Sequence, residues 1–272
     1  MGSVRRTMKR LIVIRGGGEL ATAAAHYLHI AGFEVLMLER AHPSAIRREV
    51  AFSDAIYAGE KTVERVTCYR ADGIKEADQG LRSGRIIMMI DPEGKCAGRF
   101  RHHILINTLA GYIPEAKIAS VADFRIGLGS GYCARRDVDC VIEVRRGHNL
   151  GRIIREGRAS KRQTGVPHDN LLLAPTAGVF KSPRTISNIL RKGDHIADIY
   201  DKEGRKTALT APFPGVLRGL IHDDFPVQPG MVVAEVDGAN DPGRCYTISD
   251  KARCIAGSIL EAVMSFESGT WK

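Results

Sequence analysis

Apolar residues in this chain fall into short runs separated by glycine and polar residues. Leu11–Ile14 is a continuous apolar run, which predicts a strand buried on both faces. Gly16, Gly17 and Gly18 follow. Glu19–Gly32 (ELATAAAHYLHIAG) then carries small and apolar residues at helical spacing and closes on a glycine suited to a C-cap. Phe33–Glu39 (FEVLMLE) predicts a second buried strand, completing a β-α-β unit. Further strands are expected at Arg85–Asp91, His103–Leu109 and Phe124–Tyr132, with a helix over Ile74–Arg82. Near the end, Ile255, Ile259, Leu260, Val263 and Met264 stand near helical spacing behind a cap at Ser249.

The second half changes character and contains a repeat. LAPTAGVF (Leu173–Phe180) matches TAPFPGVL (Thr210–Leu217), and LRKGDHIADI (Leu190–Ile199) matches VQPGMVVAEV (Val227–Val236). Ala174 and Ala211, Gly178 and Gly215, Gly193 and Gly230, and Ala197 and Ala234 are each 37 residues apart, in one ungapped register. Each copy reads as short strands punctuated by Ala-Pro and glycine turns, and two copies packed face to face make a pseudo-twofold β-sandwich. This resembles the barrel-sandwich hybrid of biotinyl and lipoyl carrier domains. Those domains place the modified lysine seven residues before the second Ala-Pro, where this chain has Gly204; nearby Lys206 lacks flanking methionines. No biotin or lipoyl group is therefore expected. The fold expected from sequence is a Rossmann-like α/β domain over 8–165, a duplicated barrel-sandwich-hybrid-like β-module over 166–240, and a C-terminal helix over 241–272 packing back.

Gly16-x-Gly18-x-x-Ala21 matches the dinucleotide fingerprint G-x-G-x-x-G/A. The first glycine permits the tight turn, the second lets a phosphate approach the backbone, and Ala21 lets helix and strand pack closely. The free N–H groups at the helix start (Gly17, Gly18, Glu19, Leu20) then face an anion. Glu39 lies 21 residues past Gly18, where an acid accepts a ribose diol. The alternative is that the glycines only allow close packing.

Other candidates surround this core pattern. Arg47 and Arg48 follow the second strand, either as bidentate phosphate ligands or as solvated helix arginines. Asp91 and Asn107 stand at strand ends, where open α/β sheets bind ligands. GLGSGY (Gly127–Tyr132) supplies a second glycine loop, Gly129, Ser130 and Gly131, which suits an oxyanion cradle or a plain turn. Glu143–Ala159 gathers Arg145, Arg146, His148, Asn149 and Arg152. That cluster suits an anionic ligand, with His148 as the candidate proton carrier or as a structural histidine.

Composition narrows the partners. The chain has 272 residues, 40 Lys and Arg against 31 Asp and Glu, and a net charge of +9, which favours anionic ligands or an acidic partner. No nucleic-acid motif accompanies that charge. The basic N-terminus leads into only four apolar residues (Leu11–Ile14), short of the roughly 7–15 of a secretory signal. No run approaches the ~20 apolar residues of a membrane span, so a cytoplasmic protein is expected. The six cysteines form no C-x-x-C pair and are expected to be reduced thiols, Cys133 standing out by following the second glycine loop. No metal site is assigned.

The motifs together resemble the YqeB-type family of selenium-dependent molybdenum hydroxylase system proteins. The resemblance rests on IRGGGELATAAAHYLHIAGFEVLMLE, PSAIRREVAFSDAIY, DPEG, RRGHNLGRII, TGVPHDNLLLAPTAGVF, APFPGVLRGLI and SDKARCIAGSILEAV, and runs through most of the chain. It implies an accessory role in maturing a molybdenum hydroxylase that needs labile selenium. There are departures. The family's first loop reads Gly-Ala-Gly-Asp where this chain has Gly16-Gly17-Gly18-Glu19. Its second has Gly-Pro-Gly and an aromatic, then Thr-Ala-Gly, where Gly129-Ser130-Gly131-Tyr132 and Cys133-Ala134-Arg135 stand. Asn107 replaces an Asp.

The leading expectation is an accessory protein holding the molybdenum cofactor or its dinucleotide form over Gly16–Gly18, near Arg47 and Arg48. Gly129–Tyr132, Arg146, His148 and Asn149 would complete the cleft, and the hydroxylase apoprotein would be the partner. The alternatives are an NAD(P)-dependent oxidoreductase and a non-catalytic scaffold that docks the hydroxylase. Whether the chain catalyses a reaction, and whether it forms a homo-oligomer, stay open.

Overall fold

The structure is a computed structural model and describes residues 10–100, 103–109, 122–161 and 170–271. The basic N-terminal segment, Ala110–Gly111 of the INTLAG motif, the stretch Thr164–Asp169 and the expected boundary at 165/166 lie outside the described residues.

In chain order the described elements begin with β1 (Leu11–Arg15), α1 (Glu19–Ile30), β2 (Glu34–Glu39), α2 (Ala55–Ala58), β3 (Glu60–Val63) and β4 (Val66–Arg70). They continue through α3 (Ile74–Arg82), β5 (Ile86–Ile90), β6 (Ile104–Asn107), β7 (Phe124–Leu128), β8 (Cys133–Ala134), β9 (Cys140–Ile142), β10 (Ile153–Ile154) and β11 (Gly157–Arg158). The second half holds β12 (Leu171–Leu173), β13 (Gly178–Lys181), β14 (Ile189–Leu190), β15 (His195–Tyr200), β16 (Lys206–Thr210), β17 (Gly215–Leu220), β18 (Pro226–Val227), β19 (Val232–Asp237) and α4 (Asp250–Glu267).

The expected Rossmann-like domain plus barrel-sandwich-hybrid-like module is corrected by the sheets. The main sheet is a nine-stranded mixed sheet in the order β10-β9-β7-β6-β1-β2-β5-β4-β3, antiparallel at both edges, where β3 pairs β4 and β10 pairs β9. Among the described residues helices are few: β7 passes to its parallel neighbour β9 through a loop carrying only β8, with no helix between. The physical reason is local. A β-α-β pattern at the chain start reports one crossover, whereas the glycine- and charge-rich segment after Leu128 has no apolar stripe from which to build a covering helix.

Each central strand is apolar on both faces because both faces are covered. Ile12 and Ile14 of β1 face one core, with Met37, Ile104, Ile106 and the buried sides of α1 and α4. Leu11 and Val13 face the other, with Leu36, Leu38, Ile87 and the α3 residues Ala77 and Leu81. α4 presents Ala252, Ile255, Ala256, Ile259, Ala262 and Val263 as one buried stripe. Its partner α1 is lined with Ala21, Ala23, Ala24 and Ala25, small enough for close approach. Phe266 stacks on Phe124 at 4.7 Å, closing the far end of this layer.

The second half forms two four-stranded antiparallel sheets, β12-β19-β17-β14 and β16-β15-β13-β18. The 37-residue repeat carries β12, β13, β14 and β15 onto β16, β17, β18 and β19. The same operation turns one sheet order into the other. Neither copy makes a sheet of its own: each sheet takes two strands from each copy, so the apolar faces are buried only when both copies interlock. A strap, residues 46–54, joins the two halves. Ile46 O accepts the Leu220 N–H at 2.8 Å, and the Ile46 side chain fills the notch left by Gly219.

Candidate functional site

The glycine loop sits at the C-terminal end of β1, between β2 and β6. Chain connections run away from this point in opposite directions, which is where open parallel arrangements leave a crevice. Gly16 has φ +103°, and a Cβ there would overlap Thr108 Oγ1, whose hydroxyl donates to Arg15 O at 2.7 Å. Gly17 donates its N–H to Glu39 Oε2 at 2.6 Å, and its carbonyl accepts from Ser53 N at 2.9 Å and from Thr22 Oγ1 at 3.1 Å. A Cβ on Gly17 would meet Met88 and Ser53. These two glycines are demanded by packing.

Gly18 is different. It is the N-cap of α1 with φ −71° and ψ −178°, an extended conformation any residue adopts, and a Cβ would find nothing within 4 Å. Ser, Asp or Asn is the usual occupant of such a position, because its side chain satisfies the orphan N–H groups. Here no side chain caps the helix, and among the described residues the N–H groups of Glu19, Leu20 and Ala21 have no acceptor.

Glu39 is turned inward. Its other oxygen, Oε1, accepts the Arg40 N–H at 2.8 Å, so the carboxylate serves as the acceptor of the loop. Burial pushes its pKa up, and the two N–H donors pull part of the way back.

Arg47 and Arg48 lie on the strap and point to the second half. The Arg47 Nε and Nη2 atoms fork onto Glu235 at 2.6 and 2.7 Å, while Nη1 donates to Glu19 Oε2 at 2.6 Å. Burial works against the charge, but the Glu235 fork and Glu19 raise the Arg47 pKa above its ordinary value. Arg48 Nε donates to Leu220 O at 2.7 Å and Nη1 approaches His222 Nδ1 at 3.2 Å. His222 Nε2 meets Asp54 Oδ1 at 2.6 Å, with the Tyr57 ring 3.9 Å from its own. Burial would raise the Asp54 pKa, but the hydrogen bond from His222 and the nearby charges of Lys61 and Arg48 bring it below the ordinary carboxylate range. With both ring nitrogens engaged, this His–Asp pair works as a clasp between the halves.

The remaining candidates divide. Arg146 forms a bidentate pair with Asp250 at 3.0 and 3.1 Å, holding the Asp250 pKa down to about 2. The Asp250 bond holds the Arg146 pKa up, against partial burial. His148 and Asn149 are exposed beside it, and Asn149 O accepts the Arg152 N–H at 3.0 Å. Gly151 packs against Cys254 and Ser258 of α4.

Asp91 is spent on its own turn, accepting the N–H groups of Lys95 and Cys96 at 2.9 and 2.7 Å. Burial, reinforced by Asp91, pushes the Cys96 thiol up to about 12. Asn107 Oδ1 accepts from Arg15 at 3.4 Å. Gly129, Ser130 and Gly131 form a tight loop whose Tyr132 ring lies where a Gly127 side chain would be, its hydroxyl donating to Leu109 O at 3.1 Å. Among the described residues no group of three or more His, Cys, Asp or Glu side chains is placed to hold a metal ion. None of their helices is long and apolar enough to cross a membrane.

Sequence reasoning missed Ser53, Asp54, His222 and Glu235. One signal was present: departures from the repeat. His222 stands where the first copy has Thr185, and fully buried Glu235 where it has half-buried Asp198. Both of these departures meet the strap, His222 at Arg48 and Asp54 and Glu235 at Arg47.

No family model matches the chain. It is 36% identical over 262 residues to the uncharacterized protein YqeB of Escherichia coli (strain K12), covering 94% of this chain and 47% of that protein. The chain thus spans about half the length of the curated relative it matches. Among solved structures it is similar to a succinylglutamate desuccinylase/aspartoacylase from Rhodobacter sphaeroides (12% identity, 84% of each chain, TM-score 0.26). It is also similar to the product-bound ectoine utilization protein EutE (DoeB) from Ruegeria pomeroyi (12% identity, 84% of this chain and 85% of that one, TM-score 0.30). At those scores the likeness carries no argument about the site.

Proposed function

Because the chain belongs to the YqeB type, we propose that it binds an anionic, nucleotide-like cofactor at the open start of α1 and acts as an accessory protein in maturing a selenium-dependent molybdenum hydroxylase. The observation that carries the binding site is Gly18. Neither backbone conformation nor packing requires glycine there, yet the position lacks the side chain that would cap the helix. A helix start left with free N–H groups and its dipole is suited to a phosphate group. The molybdenum cofactor, or its dinucleotide form, is the ligand of this class that the family resemblance supports.

The residues divide the work. Gly16 and Gly17 hold the loop in place, Glu39 and Ser53 fix Gly17, and the N–H groups of Glu19, Leu20 and Ala21 receive the anion. Arg47 and Arg48 hold the second half against the sheet, so the phosphate is held by backbone N–H groups and not by an arginine fork. Exposed His148 and Asn149 lie free to meet the outer part of the ligand. The exposed faces of the second half would receive the hydroxylase apoprotein. Hydride transfer is less well supported, since the Glu39 carboxylate that would receive a ribose already accepts two backbone N–H groups.

Gly18→Ser and Gly18→Asp test the proposal. Each supplies a capping oxygen in open space, so thermal stability stays level or rises, by about a few tenths of a kcal/mol. Each also occupies the anion position. Calorimetric titration of the wild type with molybdopterin dinucleotide, a mononucleotide and pyrophosphate should show binding that falls at least about tenfold in Gly18→Asp. Absence of binding in the wild type, or equal binding in the variant, refutes the site.

A further inference from the structure

We infer that Arg47 is a positioning residue that holds the Glu19 carboxylate off the start of α1 and so makes the openness of that helix start depend on the seating of β19. The inference rests on the anion site proposed above and adds its control.

Arg47 is anchored from the β19 side. Glu235 is 1% exposed, takes two of the guanidinium bonds, and has its Oε1 also bonded by Asn170 Nδ2 at 3.0 Å. Leaving this acid would strand a buried charge, so Arg47 stays where β19 puts it. Glu19 is the first residue of α1. One of its oxygens is bonded to Arg47 at 2.6 Å, and the other is buried with no hydrogen-bond partner among the described residues. Arg47 is thus its sole described partner and sets its direction.

A first-turn carboxylate is drawn toward the free N–H groups and positive end of its own helix. Released from Arg47, Glu19 would swing toward Leu20 and Ala21 and take ground that a ligand phosphate needs, adding like-charge repulsion. With β19 seated, Arg47 neutralises that charge and draws it aside. The strap supports the same coupling from a second direction, because Ser53 N bonds Gly17 O at 2.9 Å while Ile46 O bonds Leu220 N at 2.8 Å. One segment of chain thus grips both the glycine loop and β17.

Arg47→Met alone strands Glu235 and risks unfolding, so the test uses Arg47→Met/Glu235→Gln, which leaves a neutral amide on Asn170. Amide hydrogen exchange at Leu20 and Ala21, followed by NMR without ligand, should slow about three- to tenfold in this variant as Glu19 folds back. It should return to the wild-type rate when Glu19→Gln is added. Pyrophosphate affinity, measured by calorimetry, should fall about tenfold and recover with the same addition. Unchanged exchange in Arg47→Met/Glu235→Gln, or slowing that persists after Glu19→Gln, overturns the inference. The exchange arm needs no ligand, so a wild type that fails to bind pyrophosphate refutes the proposed function while exchange still judges Arg47.

Discussion

Gly215→Ala measures how tightly the interlocked second half is packed. Gly215 opens β17, and β17 pairs β19 with Val216 opposite Asp237. A Cβ on Gly215 would stand 2.6 Å from Asp237 O and 2.9 Å from Val236 Cγ1, closer than real Cβ atoms come to other groups. The obstacle is strand backbone, which cannot rotate aside, so β17 and β19 must separate by some tenths of an ångström and stretch their ladder. Overpacking of this kind costs about 1–3 kcal/mol. For a chain of this size that corresponds to a Tm drop of roughly 2–4 °C per kcal/mol.

The repeat supplies an internal check. Gly178 is the 37-residue counterpart, and its Cβ would overlap the carbonyl of Tyr200, itself the counterpart of Asp237. Gly178→Ala should therefore cost as much or more. A contrasting pair, Gly193 and Gly230, has φ of +87° and +79° with open space around it. Alanine there meets only the left-handed backbone penalty, about 1–2 kcal/mol. Urea unfolding of the four variants gives the comparison. If Gly215→Ala and Gly178→Ala both fall within ~0.5 kcal/mol of wild type, strand contact is not why glycine stands at these positions.

Two further outcomes follow from the charged contacts. His222→Ala removes the 2.6 Å partner of Asp54 and leaves that acid with Lys61 at 3.8 Å, so unfolding should show a loss of about 1–3 kcal/mol. Asp54→Asn should add little on top, and full additivity in the double variant would refute the clasp. Asp250 has its pKa lowered to about 2, so its pairing with Arg146 is complete above its unfolded value of ~3.9 and is lost as pH falls toward 2. The carboxyl carbon shift of Asp250 should titrate in that low range and move back up in Arg146→Met; ordinary titration in the wild type would contradict the pairing.

Much of the local structure was legible. The Leu11–Ile14 run, the alanine-rich helix behind the three glycines, the Ile74–Arg82 helix and the capped C-terminal helix all form close to where periodicity puts them. The repeat was legible to the residue, because strand and turn spacing is written directly in the chain. The sheet composition was not. Interlocked copies and separate copies have the same alternation of apolar and polar positions, and the choice between them is made only by which faces must be buried. The same holds for the nine-stranded sheet: nothing local to Cys140–Ile142 says that it lies parallel to Phe124–Leu128 without an intervening helix.

The candidate site divides along the same line. Sequence by itself determined the glycine loop, the helix behind it and the acid at the end of the second strand, because each depends on neighbours within a few dozen residues. Tertiary structure decided what the charges do. Glu39 closes the loop by bonding Gly17, 22 residues away, while Arg47 finds Glu235, 188 residues away. An arginine near a glycine loop has the same local sequence whether it meets a phosphate or a buried carboxylate. Its partner depends on where a distant strand comes to rest, and burial of the apolar faces of that strand fixes its resting place.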